Sequence, residues 1–213
     1  MSFRDPTMVF FGQGPSTDSG RRFASIQLPG LAEAPGESTR EGTFERHWLR
    51  TLAHVLVDEI HELHSVEKTL VEKLPPVALA ATEPILRNLA QIHAQQTNEH
   101  RRRVELIFEM LGQSPDHRIC LEMEGLLIGL QEIIAENRPG RTRDLALLTV
   151  TLKIKMRKVA GYCNARDYAQ LLGLAPVATL LQQSLEEETA LQERLSKLDQ
   201  LLTNQTITMR IVH

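Results

Sequence analysis

The stretch Leu147–Tyr162, LLTVTLKIKMRKVAGY, places a stronger constraint on the fold than any other part of the chain. Leu148, Leu152, Val159 and Tyr162 recur at helical spacing, with Thr151 filling in. On the same inward side stand Lys155 and Lys158, four and seven residues past Thr151. Two ammonium groups on a packing face are costly unless anions meet them. Glu67 and Glu188 are the candidate anions, because each interrupts the leucine stripe of another helix. The pattern asks for a helical bundle with a polar layer in its middle.

The remaining helices can be read in order. The first is expected from an N-cap at Thr43 to Leu74, with Leu49, Leu52, Leu56, Ile60, Leu63, Leu70 and Leu74 as its stripe and Glu67 in register. Pro75-Pro76 ends or kinks it. Thr82 is expected to cap a second helix, with Pro84 in its first turn and Gly112 closing it. The inward face of that helix reads Leu86, Leu89, His93, Gln96, His100, Val104, Ile107, Leu111, so three successive core positions are polar. A shorter helix follows from about Cys120 to Glu136, and Asn137-Arg138-Pro139-Gly140 breaks the chain after it. The lysine helix then runs from about Thr142 to Leu172, with Gly173 as its stop. The last spans about Pro176 to Leu202, with Glu188 and Gln192 in register with its leucines.

Four long helices and a short one, without strands, predict an all-α antiparallel four-helix bundle with one extra short helix between bundle helices 2 and 3. The expected division is an N-terminal tail over 1–42, a bundle over 43–203 and a C-terminal tail over 204–213. Six glycines and four prolines without a sustained period make the first segment a mostly disordered one. Val9-Phe10-Phe11 forms a small apolar cluster within it. Thr206–Val212 alternates like a strand, but with no second strand to pair it reads as a frayed tail.

Composition narrows the function classes. The 42% hydrophobic content rests on Leu, Ala, Val and Ile, with only 4% aromatic, which suits helix packing. A net charge of −3 supplies no global field for nucleic acid or anionic membrane. His100-Arg101-Arg102-Arg103 is a local basic run without interleaved aromatics, and reads as a solvated helix face. Cys120 and Cys163 lack metal-type or disulfide spacing, and no run reaches the length of a membrane span. The expectations are a reduced, cytoplasmic setting, no signal peptide, no nucleic-acid partner and no membrane partner.

In the bundle, eight polar residues should meet at one depth: Glu67, His93, Gln96, His100, Lys155, Lys158, Glu188 and Gln192. Bundles hold metals through inward carboxylates and imidazoles, and Glu67, His93, His100 and Glu188 are suitable ligands. Lys155 and Lys158 are not. The simplest electrostatic reading is that two ammonium groups stand where metal charge would, neutralised by Glu67 and Glu188, with the His and Gln side chains completing the hydrogen bonds. His61, His64 and Glu67 also form a His-x-x-His-x-x-Glu ladder, expected to lie on an exposed face. Tyr162 is expected to be buried with a hydrogen-bond partner.

The segments Leu56-Val57-Asp58-Glu59-Ile60-His61-Glu62-Leu63-His64-Ser65-Val66-Glu67-Lys68, Leu74-Pro75, His93…Thr97, Leu111-Gly112, Met123-Glu124-Gly125-Leu126, Ala160-Gly161-Tyr162 and Leu185-Glu186-Glu187-Glu188 together resemble the YciE/YciF-type ferritin-like family over about residues 45–200. The resemblance implies a ferritin-like bundle, a bacterial stress-associated role and a di-metal site lined by carboxylates. Within it, Glu67, Glu124 and Glu188 match acidic positions of the family. Gln96, Lys155, Lys158 and Gln192 depart from acidic ones, two of them by charge reversal.

Two readings follow. One is a non-catalytic, stress-associated scaffold or interaction protein with a degenerate di-metal centre and no cofactor. The alternative is one ion, Fe, Mn or Zn, held by Glu67, His93, His100 and Glu188, with oxidoreductase-type activity. Expected partners are a second copy in a homodimer, or a protein bound through residues 1–42 or 204–213.

Overall fold

The computed structural model describes residues 40–116 and 118–211. Six helices occur among them: α1 (Arg40–Lys73), α2 (Pro75–Ala80), α3 (Pro84–Met110), α4 (Leu121–Glu136), α5 (Arg141–Leu171) and α6 (Ala175–Ile211). The four long ones, α1, α3, α5 and α6, form the expected bundle, and each runs antiparallel to both of its neighbours. Contacts descend along one helix as they climb the next: His61 and His64 meet Phe108 of α3, and Glu67 meets its His100. Likewise Arg166 of α5 meets Gln182 of α6, and Lys155 meets Glu188. Since α3 and α5 run in the same direction, α4 lies in the long crossover between them, as in ferritin-like bundles.

Two terminators act as the sequence predicts. Gly112 and Gly173 adopt φ of 62° and 69°. Gln113 N donates to Phe108 O and Leu174 N to Ala169 O, each at 2.9 Å, closing α3 and α5 with left-handed caps. Pro75 does not merely end α1. It opens an unexpected six-residue helix, α2, for which its fixed φ and missing N–H suit a first position.

Four local expectations need correction. Thr82 does not cap α3; Glu83 does, accepting from Ile85 N at 3.3 Å. Thr82 is instead held by Asp144 in the first turn of α5, which accepts from Thr82 N at 2.9 Å, from the Thr82 hydroxyl and from Glu83 N at 2.7 Å. The last helix does not fray at Leu202 but continues to Ile211, so the strand-like 204–211 is helical. Thr206 donates to Leu202 O at 2.8 Å there, and adding turns to an existing helix is far easier than starting one. The third concerns His61 and His64, which are buried against the Phe108 ring rather than exposed. Fourth, α1 is helical from Arg40, ahead of the proposed start at Thr43; the tail reading for 1–39 lies outside the described residues.

The core has two apolar parts. Val66, Leu70, Leu74, Leu86, Leu89, Leu148, Ile154, Leu191 and Leu195 belong to one, while Leu56, Ile60, Leu63, Val104, Ile107, Ala165, Leu181 and Leu185 belong to the other. On α3, α5 and α6 the buried polar residues His93, His100, Lys155, Lys158 and Glu188 fall between those two sets, and on α1 Glu67 follows Val66 at the edge of the first.

Candidate functional site: a buried charge layer

Between the two leucine clusters, Glu67, His93, His100, Lys155, Lys158 and Glu188 are all buried, none more than 1% exposed. Each comes from a core stripe in which the helix repeat leaves no other direction to point. Leu148 and Tyr162 flank the lysines in the core, whereas Leu152 and Val159 lie half-buried at the side; Leu147, Ile154 and Ala165 take the deeper positions.

Glu188 is the hub. Lys155 Nζ donates to its Oε2 at 2.9 Å, and Lys158 Nζ to its Oε1 at 2.8 Å. Lys158 Nζ also lies 2.9 Å from Glu67 Oε2, and the Tyr162 hydroxyl donates to Glu67 Oε1 at 2.8 Å. His100 links this buried set to the surface. Its Nδ1 is 3.0 Å from Glu188 Oε1, and its Nε2 is 2.8 Å from Oε2 of the half-exposed Glu187. Arg103 grips Glu187 through both terminal nitrogens, at 3.0 and 2.8 Å, and donates to Ser184 at 3.2 Å. Tyr162 therefore has the buried partner its position suggests.

The protonation preferences follow from this geometry. Burial pushes Lys155 down, and Glu188, opposed by the neighbouring Lys158 ammonium, only partly restores it, so its pKa falls to about 8. Burial also works against Lys158, but Glu188 and Glu67 together outweigh it and raise that ammonium above the ordinary lysine value. Burial would lift Glu188; Lys155 and Lys158, with His100, reverse this and hold it well below the usual carboxylate range. Burial, and then Lys155 and Lys158, keep His93 well below the ordinary imidazole value. Tyr162 is pushed well upward by burial and by the two carboxylates.

The other candidates are placed differently. Gln96 and Gln192 are only half-buried and stand apart from the ion pairs, although Gln96 Oε1 itself is buried. Glu124 is on the outer helix α4, where it lines a surface pocket with His64 and Lys68 rather than entering the layer. Of the basic run, Arg102 alone is exposed, where it pairs with Glu99; Arg101 pairs with Glu105 and Arg103 with Glu187, while His100 is buried. Sequence reasoning missed Glu187, Arg103 and Ser184, whose only prior signal was their proximity to Glu188 and His100 along the chain. It also missed Arg157, which joins Glu62 of α1, Glu122 of α4 and α5 itself.

The donor set does not fit the di-metal centre that the resemblance implies. Glu67 and Glu188 face ammonium groups at hydrogen-bonding distance, so a cation between them would meet like charge. Among the described residues no three His, Cys, Asp or Glu side chains are grouped so as to hold a metal ion. No described helix is long and apolar enough to cross a membrane.

Comparisons with known proteins agree with this architecture. Residues 51–208 match a family described as a domain of unknown function, DUF892. Protein YciF of Escherichia coli K12 is 28% identical over 151 residues, which is 70% of this chain and 91% of that protein. The crystal structure of the E. coli stress protein YciF superposes with a TM-score of 0.68 at 27% identity, over 72% of this chain and 97% of that one. YcfI of Rhodopseudomonas palustris shares the fold with a TM-score of 0.65 at 23% identity, over 68% and 92% of the two chains. A helical bundle, a family match over residues 51–208 and 28% identity to YciF lead to one conclusion: the chain belongs to the DUF892 family, the YciE/YciF-type ferritin-like proteins.

Proposed function

We propose that this protein is a non-catalytic bundle of the stress-associated class to which YciF belongs, in which a Lys-Glu-His layer has replaced a di-metal centre. The observation that carries the reading is the position of the two lysines. Lys155 Nζ and Lys158 Nζ stand 2.9 and 2.8 Å from the two oxygens of one buried carboxylate, on the axis where a bundle metal is ligated. Two ammonium groups and two carboxylates balance in charge, so the layer is complete without a cation. Its role is structural: it sets how the four helices meet, leaving the outer surface to serve as scaffold or interaction face.

Elemental analysis of the full chain, purified without chelator, tests this. The expected result is no stoichiometric Fe, Mn or Zn, with Glu67→Ala changing stability but not metal content. Stoichiometric metal that disappears in Glu67→Ala would overturn the proposal and favour one ion held by Glu67, His93, His100 and Glu188.

A further inference from the structure

Beside the ion pairs, three consecutive inward positions of α3 carry four buried polar atoms that find no hydrogen-bond partner among the protein's own groups. They are both ring nitrogens of His93, Oε1 of Gln96 and Oγ1 of Thr97. Positions 93, 96 and 97 share one face of the helix, so these atoms are neighbours. Thr97 is the most telling. Seven other helical threonines, Thr51, Thr69, Thr149, Thr151, Thr179, Thr189 and Thr206, donate to the carbonyl four residues back. Thr97 makes no such bond with His93 O, leaving its hydroxyl available to the core.

Buried donors and acceptors without partners are strongly disfavoured, and four in adjacent positions is a concentration that folded proteins avoid. We infer that this face of α3 encloses ordered water, bound between His93, Thr97 and Gln96 beside Lys155. The chemistry of the lining selects the guest. Glu67 and Glu188 balance Lys155 and Lys158, so an added cation would meet two ammonium groups and an added anion two carboxylates. A neutral guest avoids both. Imidazole presents one donor and one acceptor, Gln96 Oε1 only accepts, and Thr97 does either, so the guest must donate and accept at once. Water does so with two to four partners, roughly the number this face offers. The inference rests on the metal-free reading of the layer and adds to it: enclosed water would supply Lys155 with the solvation that a single carboxylate leaves incomplete.

A high-resolution crystal structure of the full chain, with anomalous data at the Fe, Mn and Zn edges, is the test. The expected result is at least one peak without anomalous signal, within hydrogen-bonding distance of a His93 ring nitrogen and of Thr97 Oγ1 or Gln96 Oε1. The double variant His93→Leu, Thr97→Val should lose that peak and keep the Lys155–Glu188 and Lys158–Glu188 contacts. A dry face, with the His93 nitrogens bonded directly to side chains, overturns the enclosed water and leaves the metal-free layer standing. So does a peak that persists unchanged in the double variant. An anomalous peak at the same position overturns both. Water-to-protein magnetisation transfer at the His93 ring in solution gives the same decision if the double variant does not fold.

Discussion

Lys155 and Lys158, one turn apart on α5, differ in the number of carboxylates each one faces. Lys158 lies against both Glu188 and Glu67, whereas Lys155 makes its ion pair with Glu188. Equal burial thus gives unequal charge stability, with Lys155 shifted down and Lys158 up. Neighbouring positions of one stripe need not be equivalent when a single extra carboxylate separates them.

Removing either lysine should therefore have different effects. Breaking a buried pair costs roughly 3–5 kcal/mol. Lys158→Met, which leaves Glu67 without an ammonium partner and Glu188 with Lys155 alone, is expected at the upper end, and Lys155→Met, which leaves both carboxylates facing Lys158, at the lower. Urea denaturation of both variants checks the order. Equal losses, or a larger one for Lys155→Met, would show that the division between the two ammonium groups is wrong.

The pH dependence has a definite sign in each direction. His93 binds its proton less readily in the fold than at the ordinary 6.5, so the unfolded chain takes up the proton first and stability falls as pH drops below 6.5. Glu188, depressed from 4.5, stabilises fully above that value and loses its contribution as acid protonates it. Lys155 has the same sign, in a window at high pH. Between about 8 and 10.5 the unfolded chain holds the proton that the folded one releases, so this group adds stability as pH rises. Melting temperature measured across pH should show the wild type gaining on Lys155→Met through that window, and the acid-side loss should begin at lower pH in His93→Gln.

Asp144 ties the start of α3 to the start of α5 through three hydrogen bonds from Thr82 and Glu83. Bonds to a charged acceptor are the stronger kind, and Asp144 itself is buried. Asp144→Ala should cost about 2–3 kcal/mol. Amide hydrogen exchange should localise the loss to the first turns of α3 and α5 and leave the Lys–Glu layer protected.

Gly161 lets α5 approach α1 closely. A Cβ at this position would come within 3.0 Å of Glu59 Oε1, 3.1 Å of Leu63 Cδ2 and 3.2 Å of Arg157 Nη1. A Cβ already requires those three side-chain ends to give by a few tenths of an ångström, and the two γ-methyls of valine ask for more. Gly161→Val should destabilise by roughly 1–3 kcal/mol as overpacking, read by chemical denaturation.

Much of this arrangement was legible in the sequence because charge on a leucine stripe has few explanations. Glu67, Lys155, Lys158 and Glu188 each break an otherwise apolar repeat, and the fold brings their side chains to one depth. Glu187 was hidden for the opposite reason. It lies within the run Glu186-Glu187-Glu188, where all three are alike and only the partner helix decides which faces His100. Thr97 gave no sign because threonine is at home on either face of a helix. The burial of His61 and His64 depends on Phe108 arriving from another helix, which no local pattern on α1 reports. At the C-terminus, the β-branched alternation of Thr206, Ile207 and Thr208 reflects intrinsic preference, which the helical turns already formed ahead of it override.

The two apolar clusters with charges between them also govern how the chain avoids wrong answers. Leucine tolerates sliding past leucine, so a bundle of uniform stripes could settle with one helix displaced by a turn. Here any such slippage would drive an ammonium group into hydrocarbon and leave a carboxylate behind without its counter-ion. The misaligned forms are penalised far more than the correct one is rewarded, and a single packing is left accessible.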